Sequence, residues 1–421
     1  MTQSPWLSVV VPVRDSTHLT EALSSIATQP NSDGIEVIVV DGGSRSDIQA
    51  LELEGWPRVV FVERGDGSAS LAVKVGLDAA SASFVTFLDP SDRYAPAALG
   101  TLRRGLEAAP GVAAAQGTIR RRQGKEALGP SHLDSNVGAM MIKREALVAL
   151  DLVNPSRPID EDGNLVAQLG RAGLAVLPLA ETIIHSRSSS EAPAERLYQN
   201  QVDGQPIDDT LTVALVVRNG MPHLPDAVAS LRGQIHSPDR IIAVVGASED
   251  ETAEWLTTQP DIEVLSQHGT GLAEARNQAV AAVDEGWLAF LDHDDLWAAE
   301  KLADQRRVAA MVQELSAVVC RFETDGHEGQ ASGARIGWTP SALMAHRVTF
   351  DEIGPFDASL GLGCDTDWFR RLRLSDTLCL LPPRMLMTKR RHGGNLSAEP
   401  FQNRHAMFAM IAKHRRTATR P

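Results

Sequence analysis

The sequence predicts an α/β protein with two tandem domains, each built on an open and mainly parallel sheet. Two observations lead to this prediction: the chain repeats itself at an offset of 203 residues, and each copy opens with a strand, a helix and a second strand. In the repeat, segment 83–94 aligns with segment 286–297, and Asp162 aligns with Asp365. Because two landmarks about 70 residues apart keep one alignment, we interpret the repeat as a duplicated domain.

The first strand of each copy is a mostly aliphatic run, at 7–13 and at 211–217. Such runs are typical of strands that are buried on both faces of a parallel sheet. Apolar residues at helical spacing then precede a second apolar run in both copies: Leu19, Leu23 and Ile26 before 35–40, and Leu224, Val228 and Leu231 before 241–245. Strand, helix and strand at this spacing predict a βαβ unit.

Two aspartates stand where apolar strands end. Asp41 follows the second strand of the first copy, and Asp292 follows the apolar run 286–291 of the second copy. Ligands of open α/β sheets bind beyond the carboxyl ends of the strands. We therefore expect both aspartates at a ligand-binding edge.

Composition narrows the class of partner and the compartment. The 421-residue chain has a formal net charge of −14, which argues against nucleic acid as the main partner but not against a nucleotide held through a metal ion. The three cysteines are odd in number and lack C-x-x-C spacing, so we expect neither disulfides nor a zinc site, and a cytoplasmic setting. We expect no signal peptide and no transmembrane segment.

Two segments have the composition of connections or tails. Residues 188–208, rich in Ser, Pro, Gln and acidic side chains, predict a linker between a first domain at 1–187 and a second at 209–421. Segment 401–416 has a helical pattern and ends in four basic residues, 413–416. Cations there complement the helix dipole, and peripheral contact with an anionic membrane surface is the alternative.

An acidic cluster of three carboxylates, Asp292, Asp294 and Asp295, directly follows an apolar strand. Packed carboxylates repel one another unless a cation lies between them. Mg²⁺ or Mn²⁺ would take one or two of them together with diphosphate oxygens. The alternative is a solvated acidic turn that caps a helix beginning near Trp297. The preceding strand and the repeat favour the metal site.

Together these motifs resemble the family 2 glycosyltransferases, which have the GT-A fold, and the resemblance covers nearly the whole chain twice. The motifs that carry it, in chain order, are Val9-Val10-Val11-Pro12, Val39-Val40-Asp41-Gly42-Gly43-Ser44, Gly271-Leu272-Ala273-Glu274-Ala275-Arg276-Asn277, the acidic cluster, Gly354-Pro355-Phe356-Asp357, Asp365-Thr366-Asp367-Trp368 and Arg391-His392-Gly393-Gly394-Asn395. The resemblance implies two tandem GT-A domains, the Rossmann-like fold of nucleotide-diphospho-sugar transferases.

The resemblance also implies roles. It places Asp41 at the nucleotide base, the acidic cluster at the metal and donor diphosphate, and Arg276 and His392 near the donor. Asp365 becomes the general base that deprotonates an acceptor hydroxyl in an inverting displacement. Trp338 is a candidate to stack on an acceptor sugar, and Asp367 is a candidate to orient its helix or acceptor groups rather than to act as the base.

Neither copy keeps the whole pattern. In the first copy the acidic motif is Asp89-Pro90-Ser91-Asp92, with a serine at the middle position. In the second copy no carboxylate stands at the position of Asp41, so the base would be held by backbone groups, Asp250 or Arg218.

We therefore expect the second domain to be the catalyst, using a nucleotide-sugar donor and Mg²⁺ or Mn²⁺. The acceptor class stays open among carbohydrate, lipid-linked and peptide acceptors. The first domain would serve as a scaffold, an acceptor-binding module or a dimerisation surface. Two alternatives stay open: a bifunctional transferase or polymerase with one site per domain, and a nucleotide- or carbohydrate-binding pseudoenzyme.

Overall fold

The structure, a computed structural model, describes the following residues: 4–13, 17–41, 59–63, 69–123, 126–127, 137–149, 169, 172–186, 210–312, 316–325, 332–382 and 384–392. The chain divides into two compact units, the first comprising Met1–Asp203 with Met311–Gln313 and the second comprising Gly204–Ala310 with Glu314–Pro421. This division falls inside the predicted linker 188–208. The linker, Asp162 and the basic segment 413–416 lie outside the described residues, so the exact boundaries stay predictions.

The first unit alternates strands and helices. Its strands are β1 (Leu7–Val13), β2 (Ile35–Asp41), β3 (Val59–Glu63), β4 (Phe84–Phe87), β5 (Arg93–Tyr94), β6 (Ala114–Gln123), β7 (Glu126–Ala127), β8 (Met140–Lys143) and β9 (Val176–Ser186). Its α-helices are α1 (Leu19–Ala27), α2 (Ala69–Ala79), α3 (Ala98–Ala108) and α4 (Arg144–Ala149). The strands lie in the order β3-β2-β1-β4-β8-β6-β9.

The second unit repeats this plan. Its strands are β10 (Leu211–Val217), β11 (Arg240–Val245), β12 (Glu263–Ser266), β13 (Trp287–Asp292), β14 (Asp295–Trp297), β15 (Ser316–Val318), β16 (Arg321–Thr324), β17 (Ser332–Ile336), β18 (Met344–His346), β19 (Leu378–Leu380) and β20 (Met385–Lys389). Its α-helices are α5 (Leu224–Arg232), α6 (Thr252–Thr257), α7 (Leu272–Ala281), α8 (Lys301–Ala309), α9 (Arg347–Ile353) and α10 (Cys364–Leu374).

The main sheet of the second unit has the order β12-β11-β10-β13-β18-β15-β19. Strand for strand, this is the order of the first unit, which confirms the predicted duplication and the α/β class. In both units the first strand pairs in parallel with a strand on each side, and one antiparallel strand, β8 or β18, interrupts the parallel arrangement. A second sheet, β14-β20-β16-β17, adjoins the acidic cluster.

Burial explains why the apolar runs form strands. All seven residues of β10 are buried, as are all seven of β2. The predicted helices α1 and α5 turn Leu19, Leu23, Leu224 and Leu231 into the core, as their spacing requires. The alternative interpretation of the acidic cluster placed a helix start near Trp297. Instead Asp295–Trp297 form strand β14, and helix α8 begins only at Lys301. Trp297 is buried, and its indole N–H donates to the Ser341 carbonyl at 2.9 Å.

Aromatic side chains fill the core beneath the carboxyl edge of β13. Trp368 is fully buried and stacks between Phe350 and Phe356, with ring centroids 5.2 and 5.3 Å away. Phe290 meets the edges of both phenylalanines. These contacts fix α10 and the loop before it against the sheet. Cys320, Cys364 and Cys379 are buried and are not joined in disulfides. Within the described ranges no helix has the length and apolar content needed to cross a bilayer.

Candidate active site

The acidic cluster lies at the carboxyl edge of the second unit's parallel sheet. Asp292 is the last residue of β13 and pairs with Val216 of β10. The chain turns through His293 and Asp294 and then enters β14 at Asp295. The Asp292 amide donates to the Ser341 hydroxyl at 3.2 Å, which holds the end of the strand in place.

Arg276 joins two parts of the predicted site. This helix α7 residue directs Nη1 at Asp365 Oδ1, 2.8 Å away, and donates from Nη2 to Asp292 Oδ1 at 3.4 Å. The Arg276 side chain is 3% exposed, whereas each carboxylate is 22% exposed. The structure therefore brings the proposed base and the first carboxylate of the acidic cluster together around one buried guanidinium, leaving an accessible edge on each.

Opposing influences act on the Asp365 carboxyl in the first turn of α10. Burial raises its pKa, Arg276 counteracts part of that rise, and the Asp292 charge adds to it. The Cys364 thiol donates to Asp365 Oδ1 at 3.5 Å. The net result is a pKa above the ordinary aspartate value, which makes the ionised carboxylate a stronger base.

Asp295 is the most buried carboxylate of the cluster. It is fully buried, and neither side-chain oxygen has a partner in good hydrogen-bond geometry, although the Ser341 hydroxyl is close enough to affect its pKa. Burial raises its pKa to about 7, the Asp292 and Asp294 charges add to the rise, and Lys389 and Ser341 counteract it. A buried, unpaired carboxylate is costly without a cation, so this oxygen pair fits the predicted metal ligand.

The cluster is nevertheless not a complete metal cage. No group of three or more His, Cys, Asp or Glu side chains among the described residues is arranged to hold a metal ion. Magnesium and manganese sites that also use substrate phosphates need only one or two carboxylates from the protein. The hard oxygen donors of Asp292, Asp294 and Asp295 fit that second type.

His392 approaches the cluster from beyond β20. Its Nε2 lies 3.2 Å from Asp294 Oδ2, and its ring centroid lies 4.3 Å from that of His223. Burial lowers the pKa of His223, and the charges of His392 and Arg390 lower it further. His223 and Arg390 were not predicted from the sequence, because nothing in the sequence pattern connects the start of α5 with the end of β20.

The sheet edge that is predicted to contact the nucleotide base differs between the units. Val13 pairs with Asp41 in the first unit, and Val217 pairs with Val245 in the second, so strand pairing places Val245 where Asp41 stands. Arg218 is exposed, and its side chain packs over Gly246: a Cβ on that glycine would lie 3.3 Å from Arg218 Cβ.

Asp250 lies at the same edge, but its carboxylate is hydrogen-bonded to backbone amides. Its carboxylate accepts from the amides of Met221 and Thr252 at 3.0 and 3.1 Å. Asn219 adds two further bonds between the loops after β10 and β11, donating from its amide to Ser248 and accepting from the Glu249 amide. Arg218 therefore extends from a cross-linked pair of loops.

The two predicted acceptor residues have different surroundings. Asp367 is fully buried and accepts from Arg371 Nε at 2.9 Å. Arg371 in turn donates to the carbonyls of Ile353, Gly354 and Pro355. Asp367 thus helps to hold the loop before α10, and its role toward an acceptor stays a prediction.

Trp338 is partly exposed and packs against α10. Its ring meets Phe369 edge-on at 6.1 Å, and the Arg373 guanidinium lies 4.8 Å from its centroid. Phe369 and Arg373 follow Asp365 at intervals of four residues on one helix face. Trp338 therefore stays an acceptor candidate on the same face of α10 as Asp365.

In the equivalent turn of the first unit, Asp89 accepts hydrogen bonds from within the turn itself. Asp89 Oδ1 accepts from the Ser91 amide at 2.8 Å and from its hydroxyl at 2.6 Å. Asp92 is buried, like its counterpart Asp295. Val73 aligns with Arg276 in the repeat, so no guanidinium stands there to join the turn to a base.

Comparison with known proteins identifies the family. The model of glycosyl transferase family 2 matches residues 8–154 and 212–358, which together make up more than half of the chain. The protein belongs to glycosyl transferase family 2. One matched segment lies in each unit, which confirms the prediction that the chain contains two copies of this family's domain.

Individual relatives are more distant. The pre-mycofactocin glycosyltransferase of Mycobacterium tuberculosis (strain ATCC 25618 / H37Rv) is 29% identical over 250 residues, covering 53% of this chain and 49% of that protein. The putative teichuronic acid biosynthesis glycosyltransferase TuaG of Bacillus subtilis (strain 168) is 33% identical over 92 residues, covering 21% of this chain and 36% of that protein. The chain thus spans about half or less of the length of these curated relatives.

Among solved structures, the mannosyltransferase PcManGT from Pyrobaculum calidifontis, in complex with GDP-Man and Mn²⁺, is 18% identical with a TM-score of 0.40, covering 53% of this chain and 70% of that one. S. aureus TarS is 16% identical with a TM-score of 0.39, covering 48% of this chain and 64% of that one.

Replacing Arg276 tests the Arg276 bridge, that is, the contacts of this guanidinium with both Asp292 and Asp365. Arg276→Met should lower the free energy of unfolding by about 3–5 kcal/mol, because it leaves two shielded carboxylates without their cation. Urea unfolding in EDTA measures this. Arg232→Met is the matched control: its partner Asp261 is 44% exposed, and the expected loss is about 0–1 kcal/mol. Equal losses in the two variants would contradict the bridge.

Proposed function

We propose that the second unit is the catalytic domain of an inverting, metal-dependent glycosyltransferase, which transfers a sugar from a nucleotide-sugar donor to a hydroxyl acceptor. The observation that carries this proposal is the Arg276 bridge. It brings Asp365 and Asp292 together at the sheet edge although 73 residues separate them in the chain. Asp365 supplies a base, and the acidic cluster supplies a place for the leaving diphosphate.

Asp365 would accept the proton of the acceptor hydroxyl as that oxygen attacks the anomeric carbon. The raised pKa of Asp365 suits this task, because a sugar hydroxyl needs a base of appreciable strength. Arg276 fixes one oxygen of the carboxylate and leaves the exposed edge of Asp365 for the acceptor. Much of the rate acceleration would then come from placing acceptor and donor in line.

Asp292, Asp294 and Asp295 would hold Mg²⁺ or Mn²⁺, which would stabilise the charge that develops on the departing nucleoside diphosphate. The unpartnered oxygens of Asp295 support this assignment. His392, beside Asp294, would contact the same diphosphate.

Arg218 would contact the nucleotide base in place of the carboxylate that Val245 has replaced. The guanidinium offers a rigid set of donors, and the cross-linked loops around Asn219 hold its backbone. Asp250 is less suited, because two backbone amides already use its carboxylate.

The first unit would be a degenerate copy. Its turn at Asp89 is satisfied internally, and Val73 aligns with Arg276. Asp41 is retained at the end of β2 and would still suit a nucleotide base. A scaffold, an acceptor-binding module and a dimerisation surface are the roles that fit, and a cytoplasmic location for the whole chain stays a prediction.

Single-site variants separate a one-site enzyme from a bifunctional one. Asp365→Asn and Asp294→Ala should each reduce transfer at least about 100-fold, because they remove the base or a diphosphate-site carboxylate. Asp92→Ala should leave most activity. Product analysis by mass spectrometry measures this, with circular dichroism as the folding control. Loss of transfer in folded Asp92→Ala would show that the first unit is catalytic.

The base assignment makes a gain-of-function prediction. Val245→Asp restores the carboxylate present at Asp41 and should tighten UDP binding in the presence of Mn²⁺ about 10-fold, the size of a charge-assisted hydrogen bond. Val245→Ala controls for lost packing, and Arg218→Ala should weaken binding of the native nucleotide. Calorimetry with UDP, GDP and dTDP measures all three. Unchanged affinities in Val245→Asp and Arg218→Ala would refute the assignment.

A further inference from the structure

Side chains from three separate segments meet beside Asp294. His392 lies three residues beyond β20, His223 immediately precedes α5, and Asp294 belongs to the turn between β13 and β14. The imidazole rings of His392 and His223 are 4.3 Å apart, with a tilt of 36° between their planes. His392 Nε2 lies 3.2 Å from Asp294 Oδ2.

Arg390 ties these three segments together. Its Nε donates to the Asp294 carbonyl at 2.8 Å, and its Nη2 donates to the His223 carbonyl at 2.9 Å. Its Nη1 forms an ion pair with Asp226 in the first turn of α5, also at 2.9 Å. One guanidinium therefore bonds to the acidic turn, to the residue before α5 and to α5 itself, while its own side chain is 13% exposed.

This geometry explains how His392 keeps its place. The His392 side chain is 22% exposed, and the contact with Asp294 does not by itself order a side chain whose backbone can move. Arg390 anchors the backbone two residues earlier, and the His223 ring packs against the imidazole. A lysine at position 390 could not replace this tie, because its single ammonium lacks the planar fork that spans three acceptors.

We propose that Arg390 and His223 are positioning residues that hold the His392 imidazole against Asp294. Neither residue needs to touch substrate. Their effect on donor binding would be transmitted through His392, so that part of the inference rests on the proposed function. The positioning itself concerns contacts within this chain and can be tested without a ligand.

Carbethoxylation of histidines in EDTA, read by mass spectrometry, tests the positioning directly. His392 should react about 2- to 10-fold faster in His223→Ala and in Arg390→Lys than in the wild-type protein. This is the size expected for losing one aromatic contact or one charged hydrogen bond. His223→Phe keeps a ring and should keep the slow rate. Exposed His268 is the internal control. An unchanged His392 rate, or an equal rise at His268, would overturn the proposal.

A double-mutant cycle tests the link to the donor site, using Mn²⁺ with UDP and with GDP in calorimetry. His223→Ala should weaken nucleotide binding about 2- to 10-fold alone, but should add nothing in a His392→Ala background. Losses that add in the double variant would overturn action through His392. If neither nucleotide bound any variant while His392 labelling still depended on His223, the proposed function would fail and the positioning role would stand.

Discussion

Two carboxylates from distant parts of the second unit share one buried guanidinium. Arg276 lies between Asp292, at the end of β13, and Asp365, at the start of α10. Without the cation the two like charges would repel at a shielded position, where electrostatic interactions are strong. Two further contacts keep these side chains in place. Trp368 of α10 stacks between Phe350 and Phe356, and the Asp292 amide donates to the Ser341 hydroxyl.

The comparison between the two units shows what this interaction contributes. Both units have the same strand order, and both bury the last aspartate of the acidic turn, Asp92 or Asp295. Only the second has an arginine at the helix position, where the first has Val73. In the first unit Asp89 bonds to Ser91 instead. The strand order therefore forms without an arginine at this position, so the topology does not depend on the bridge, although removing Arg276 from the second unit would leave two carboxylates without their cation.

Sequence reasoning succeeded where a pattern has a local physical cause. Aliphatic runs such as β10 must be buried on both faces, and the repeat then fixes the topology of the second copy from the first. The acidic turn, Arg276 and Asp365 were found as motifs. The part that Asp367 plays in holding the preceding loop was not predicted, because the bonds of its partner Arg371 to that loop depend on how α10 packs. Arg390 and His223 were missed for a related reason: 167 residues separate them, and only folding brings them together.

We expect the second unit to turn over a nucleotide sugar with a divalent metal. A donor-hydrolysis screen over UDP-, GDP- and dTDP-sugars, with Mn²⁺ and with EDTA, tests this most directly on the full chain. We expect hydrolysis of at least one donor with Mn²⁺ and its loss in EDTA. Nucleotide binding without turnover of any donor would contradict the account and would identify the protein as a non-catalytic binding member of its family.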